Sequence, residues 1–133
     1  MKVEFFMAMD PPTITHQEHK VAVRNGKPVI YEPPELMAAR QKLTDYLAQH
    51  RPNEKLTGPL ELVATWCFST NDPKLNGKYK TSRPDTDNLD KLLKDCMTHL
   101  GFWEDDAQVC REIIEKFTVD PNLRGIYVRI TQL

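Results

Sequence analysis

Apolar and polar positions alternate in two rhythms along the chain. Val3 to Met9 is rich in apolar residues and predicts a first strand, closed by Pro11 and Pro12. Val21-Ala22-Val23 and Pro28-Val29-Ile30-Tyr31 flank Arg24-Asn25-Gly26-Lys27. An Asn-Gly pair tolerates the positive φ of a tight turn, so this stretch predicts a hairpin. Pro33-Pro34 opens a helical pattern in which Leu36, Leu43 and Leu47 recur on one face, with Ala39 and Tyr46 beside them. The pattern fades by Pro52. Leu60 to Phe68 is apolar and β-forming and predicts a central strand. Residues 69–84 are polar and predict a loop with a turn at Asn76-Gly77. A second helix is expected from Asn88 to Leu100, where Leu89, Leu92, Leu93, Cys96 and Leu100 make one stripe and Gly101 stands at the C-cap. Glu112–Val119 and Gly125–Leu133 predict two closing strands, with turn chemistry at Asp120-Pro121-Asn122 between them. The order predicts an α/β or α+β fold: a single mixed β-sheet with two main helices packed on it, in one domain over residues 1–133.

Composition narrows the class. A chain of 133 residues, 40% hydrophobic and 28% charged, can bury one core and is not disordered. No apolar run approaches the roughly 20 residues of a membrane helix, and Met1 to Phe6 lacks a signal-peptide core. Three cysteines (Cys67, Cys96, Cys110) without a CxxC pair argue against a disulfide framework or a structural zinc, and for a reducing cytoplasm. The net charge is only -1, so any polyanion binding must rest on how charge is distributed.

That distribution is uneven. From Lys74 to Arg83 there are four basic residues (Lys74, Lys78, Lys80, Arg83) and no acid. Residues 85–106 then hold seven of the 19 acids. Arg83-Pro84 is expected to be extended, because a residue before proline avoids the helical region. Residues two apart in an extended stretch project to one side, which would aim Asp85 and Asp87 into one space. Asp105-Asp106 follows the second helix. Clustered carboxylates repel unless a cation compensates, and hard oxygen ligands select an ion such as Mg²⁺. On the helix, Asn88, Lys91 and Asp95 fall within a sector of about 60°, away from the apolar stripe. Lys91 beside a carboxylate-bound metal would suit a phosphate clamp, and the basic loop would carry flanking nucleic-acid backbone.

Each element also has a plainer explanation. Asp87 suits an N-cap and Asp90 the first turn of a helix. Lys91 and Asp95 suit an i,i+4 surface pair. Asp105-Asp106 suits a solvated turn, and the Lys74–Arg83 run a mobile loop. Phe102 and Trp103 could form a stacking wedge for a base but suit core or interface packing better, and Cys67 and Cys96 suit core thiols. His16 and His19 match no firm ligand spacing and are expected at the surface or the hairpin edge. The combination of basic loop, Asp-x-Asp, helical lysine and a later acid pair in one stretch is what points to phosphodiester chemistry.

Arg83-Pro84-Asp85-Thr86-Asp87-Asn88-Leu89-Asp90-Lys91, then Asp95, then Gly101-Phe102-Trp103-Glu104-Asp105-Asp106-Ala107-Gln108-Val109 resembles the RusA family of Holliday-junction resolvases. The resemblance is strong over residues 83–109 and looser before them. It implies a homodimeric, Mg²⁺-dependent endonuclease that cuts four-way DNA junctions, with Mn²⁺ as an alternative ion. It implies metal-site carboxylates at Asp85, Asp87 and Asp106 and an essential Lys91. Asp95 and Asp105 match positions of the pattern and are further candidate metal ligands. Relatives are common in phage and prophage genomes.

The mechanism this suggests is in-line attack by water on a phosphate held by one or two metal ions, with Lys91 at a non-bridging oxygen. Lys74, Lys78, Lys80, Arg83 and Lys91 would contact DNA. A two-fold dimer would supply two sites for two opposed nicks. Three other readings fit parts of the pattern: a broader nuclease for forks and flaps, a non-catalytic junction-binding replication accessory, and a phosphohydrolase of small molecules.

Overall fold

The computed structural model describes residues 1–15 and 20–133. The expectation for His16 and His19 therefore lies outside the described residues. The elements are β1 (Lys2–Met7), β2 (Lys20–Arg24), β3 (Lys27–Tyr31), α1 (Pro34–Ala48), β4 (Leu60–Ser69), β5 (Lys78–Tyr79), α2 (Thr86–Leu100), β6 (Val109–Val119) and β7 (Gly125–Gln132). No helix among the described residues is long and apolar enough to cross a membrane.

Five strands form one mixed sheet in the order β1-β7-β4-β6-β5. β4 and β6 run parallel, while β1–β7, β7–β4 and β5–β6 are antiparallel. A parallel pair needs a crossover, and α2 supplies it. The β2–β3 hairpin stands apart as a two-stranded sheet, turning at Asn25 and Gly26, both at positive φ.

Both helices cover one face of the large sheet. α1 buries the expected Leu36, Leu43 and Leu47. α2 buries Leu89, Leu92, Leu93, Cys96 and Met97, and ends at Gly101 with φ 82°. These side chains meet Leu62, Ala64 and Trp66 of β4 and Ile126, Val128 and Ile130 of β7 in one core. Phe102 and Trp103 are fully buried in it, and Trp103 Nε1 donates to Thr98 Oγ1 at 2.7 Å. The opposite face carries ion pairs from Glu61 to Arg111 (2.6 Å) and to Arg129 (3.5 Å).

Three differences from the sequence reading bear on the site. The loop over 69–84 contains β5, because Lys78 and Tyr79 pair with Thr118 and Phe117 of β6. β6 begins at Val109, three residues earlier than expected, in register with Leu60. α2 begins at Thr86 and not at Asn88.

Candidate active site

The early start of α2 changes how its acids are placed. Asp85, and not Asp87, is the N-cap, in extended backbone (φ -76°, ψ 150°), and Asp87 lies in the first helical turn. The alternation argument for Asp85 and Asp87 therefore does not hold, since only the first of them is extended. They still share one helix end, and both are exposed. An N-cap carboxylate ordinarily accepts from the backbone N–H groups of the first turn. The Asp85 side chain makes no such bond. Among the described residues neither it nor Asp87 has a hydrogen-bond or ion-pair partner.

The sheet holds this helix end in place. Lys116 Nζ on β6 donates to the carbonyl oxygens of Ser82 (2.9 Å) and Pro84 (2.8 Å). The Arg83-Pro84 peptide is cis. Upstream, Lys74 lies in a short 3-10 turn capped by Asp72, and Lys78 lies in β5. Lys80 Nζ sits 5.1 Å over the Phe68 ring and 2.8 Å from Ser82 Oγ. Lys74, Lys78 and Arg83 are exposed, and among the described residues they have no ion-pair partner. The cations thus run in chain order from the 3-10 turn through the edge strand to the loop before Asp85.

Lys91 lies one turn after Asp87, on the same helix face. It is exposed, and its ammonium is 3.7 Å from Asp95 Oδ1. The i,i+4 pair read from the sequence is therefore present, and Asp95 has further contacts.

Asp90 is the functional candidate that the sequence reading missed. It lies beyond the first turn, where the helix dipole no longer accounts for it, and it is 7% exposed. Lys94 Nζ stands 3.3 Å from Asp90 Oδ2 and 2.7 Å from Glu112 Oε1 on β6. Asp90 Oδ1 is buried with no hydrogen-bond partner. Burial, followed by the neighbouring Glu112 carboxylate, pushes the Asp90 carboxyl up to about 7, against the pull of Lys94. Burial disfavours the Lys94 charge, yet the Glu112 hydrogen bond and the Asp90 carboxylate outweigh it and raise its pKa. No spacing signal marks Asp90. Its burial follows from α2 lying on β6.

Asp105 and Asp106 sit at the other end of α2. Asp105 caps a short 3-10 turn, accepting from Ala107 N at 2.9 Å, while Gln108 Oε1 accepts from the Asp105 N–H at 3.0 Å. Asp105 is thus committed to a turn, as its plainer reading expects. Asp106 is half-buried, and among the described residues its carboxylate has no partner.

The convergence of Asp85, Asp87 and Asp106 on one cation is not made within a single chain. α2 has 15 residues, which at 1.5 Å per residue is about 22 Å of rigid helix. Lys116 marks one end on β6 and Val109 the other, again about 23 Å apart along an extended strand. Among the described residues, no group of three or more His, Cys, Asp or Glu side chains could hold a metal. Two carboxylates at one helix end still fit a hard divalent ion, because Mg²⁺ is commonly held by one or two carboxylates together with water and phosphate oxygens. Asp85 and Asp87, exposed and without a partner among the described residues, meet that requirement.

The sequence profile of the family described as Endodeoxyribonuclease RusA matches residues 11–131. The chain belongs to the RusA endodeoxyribonuclease family. It is 31% identical to a crossover junction endodeoxyribonuclease of Lactococcus phage r1t, over all of both chains. It is also 30% identical to the uncharacterized protein YqaN of Bacillus subtilis (strain 168), over 72% of this chain and 75% of that one. A RusA endodeoxyribonuclease cuts DNA phosphodiesters. The N-terminal end of α2, next to the cationic loop, is where this member of the family offers acids and cations that have no partner among the described residues.

Proposed function

We propose that this chain is a divalent-metal-dependent nuclease that resolves four-way DNA junctions as a homodimer. The observation that carries the reading is the pair of carboxylates, Asp85 and Asp87, without a partner among the described residues, at the point where the Lys74–Arg83 strip meets α2. Asp85 and Asp87 would hold Mg²⁺, or Mn²⁺ in its place. When bound, that ion supplies positive charge to the reacting phosphate and acidifies the attacking water. Lys91 neutralises a non-bridging phosphate oxygen, moving away from Asp95 to do so. Lys74, Lys78, Lys80 and Arg83 hold neighbouring phosphates and orient the scissile one.

The separation of Asp106 from Asp85 along α2 supports a site built from two copies. In that arrangement Asp106 of one chain approaches Asp85 and Asp87 of the other. A two-fold dimer then carries two such sites, which matches two opposed nicks in a two-fold symmetric junction. The resemblance to a phage crossover junction endodeoxyribonuclease supports the same substrate. The place of action is the bacterial cytoplasm, where that DNA is found.

The test is a labelled synthetic four-way junction incubated with the protein and Mg²⁺, Ca²⁺ or a chelator. Paired symmetric nicks with Mg²⁺ and none with chelator are expected. Asp85→Asn and Asp87→Asn should each slow cleavage by at least about 10²-fold, while junction binding is kept. Normal cutting by either variant defeats the assignment. Equal cutting of three-way, four-way and linear DNA favours a broader branched-DNA nuclease instead.

A further inference from the structure

Tyr79 is 65% exposed although it lies within a β-strand. It sits opposite Phe117 in the β5–β6 register, and the two rings stack with centroids 4.7 Å apart at 22°. One face of the Tyr79 ring therefore rests on Phe117, and its large exposure puts the other face in solvent. The ring is held in orientation, because Tyr79 Oη donates to Glu115 Oε2 at 2.9 Å. A tyrosine that served only to anchor β5 would bury its ring. This one presents a flat, oriented aromatic surface at the outer edge of the sheet.

Its surroundings say what would cover it. Lys78 and Lys80 flank it in the chain and project to the other side of the strand, as alternation requires. Lys74 and Arg83 extend the cationic line, with no acid among the residues from Lys74 to Arg83. Glu115, the acid that the ring reaches, is engaged by the phenol hydroxyl. The edge strand thus offers a π-face on one side and ammonium groups on the other, the combination that takes a base and its phosphate together. Phe117 backs the ring, while Lys116, the next residue on β6, holds Pro84 in front of Asp85, so by alternation the ring and Asp85 lie on opposite faces of the same sheet edge.

We infer that Tyr79 is a stacking platform for an unpaired nucleobase at the branch point, and so helps select branched over linear DNA. This rests on the nuclease reading above and names a recognition element for it.

A four-way junction with 2-aminopurine at the branch point tests this with the full-length chain in chelator, so that the DNA stays intact. The wild-type chain should quench the probe on binding. Tyr79→Ala and Tyr79→Leu should abolish that quenching and weaken junction binding by about 5- to 150-fold, the range seen when one base loses its aromatic partner. Binding to a linear duplex of the same length should be unchanged. Tyr79→Phe, which keeps the ring and loses only the hydroxyl, should behave like wild type. Tyr79→Leu keeps an apolar contact with Phe117 and thus separates loss of stacking from loss of β5.

Three results overturn the inference alone: wild-type quenching and affinity in Tyr79→Ala, an equal loss in Tyr79→Phe, or a Tyr79→Ala chain that binds weakly because it no longer sediments as the wild-type species does. The last would make the ring part of a contact between copies. A wild-type chain that neither prefers nor cuts junctions overturns the nuclease reading and this inference with it.

Discussion

Lys116 on β6 donates to the carbonyl oxygen of Pro84 at 2.8 Å, and so the strand next to the sheet's edge fixes the residue in front of Asp85. The same ammonium holds Ser82 at 2.9 Å. Lys116→Met keeps the aliphatic stem and removes both bonds. A misplacement of about 1 Å at a reacting centre can cost about 10²-fold in rate, so single-turnover cleavage should fall steeply, by between about tenfold and a hundredfold. Junction affinity should change much less, because the cations proposed to meet DNA are untouched. Measuring the two side by side decides the matter. A parallel loss of rate and affinity would show that Lys116 acts by touching DNA and not by positioning.

Asp90 predicts a pH dependence of stability with a definite sign. Its carboxyl titrates near 3.8 when unfolded and at about 7 in the native chain. Between those values the native state keeps a proton that the unfolded state releases. Stability therefore falls as pH rises through this window, by up to about 1.4 kcal/mol per pH unit. Asp90→Asn stays neutral throughout and lacks that slope. Relative to the parent, the variant should gain stability from pH 4 to pH 7, read from urea unfolding at a series of pH values. A parent that gains on the variant over this range would mean that Lys94 stabilises an ionised Asp90.

Local chemistry was legible in the chain wherever a short stretch decides its own conformation. Leu36, Leu43 and Leu47 mark the buried face of α1, Asn25-Gly26 the hairpin turn and Gly101 the end of α2. Features that depend on a distant partner were not legible. β5 is two residues long and exists because β6 pairs with it. Asp90 reads as a surface acid until α2 is laid against Glu112 of β6. The same limit governs the acids. Asp85 and Asp87 are close because they are neighbours in sequence, whereas nothing in the spacing of Asp106 reveals that a straight helix holds it at the far end.

The exposed cations predict a salt dependence. Lys74 and Lys78 have no ion-pair partner among the described residues; Lys78 lies in the edge strand and Lys74 in the 3-10 turn before it. Each phosphate neutralised contributes about 0.9 to the slope of log affinity against log salt on duplex DNA. The pair of changes Lys74→Ala and Lys78→Ala should flatten that slope by nearly two. Binding titrations from low to moderate salt measure it. Two variants with the wild-type slope would place DNA on another surface. The cleavage pattern should survive, because neither residue is placed at the reacting phosphate.

The distance between Asp85 and Asp106 makes a prediction that separates a shared site from a self-contained one. Suppose Asp85 and Asp87 of one copy work with Asp106 of the other. A dimer of Asp85→Asn chains has no complete site, nor has a dimer of Asp106→Asn chains. A mixed dimer has one site carrying both lesions and one carrying neither. Mixing the two inactive proteins should therefore restore nicking in about the fraction of mixed dimers, near one half for random exchange at equal amounts. The restored species should cut one strand of a junction and leave the opposed strand whole, because only one of its two sites is intact. If each site instead lies within one chain, every chain in the mixture carries a lesion and no activity returns. Strand-resolved cleavage of a junction labelled on two opposed arms distinguishes these outcomes, and a mixture that stays inactive while its subunits demonstrably exchange rules the shared site out.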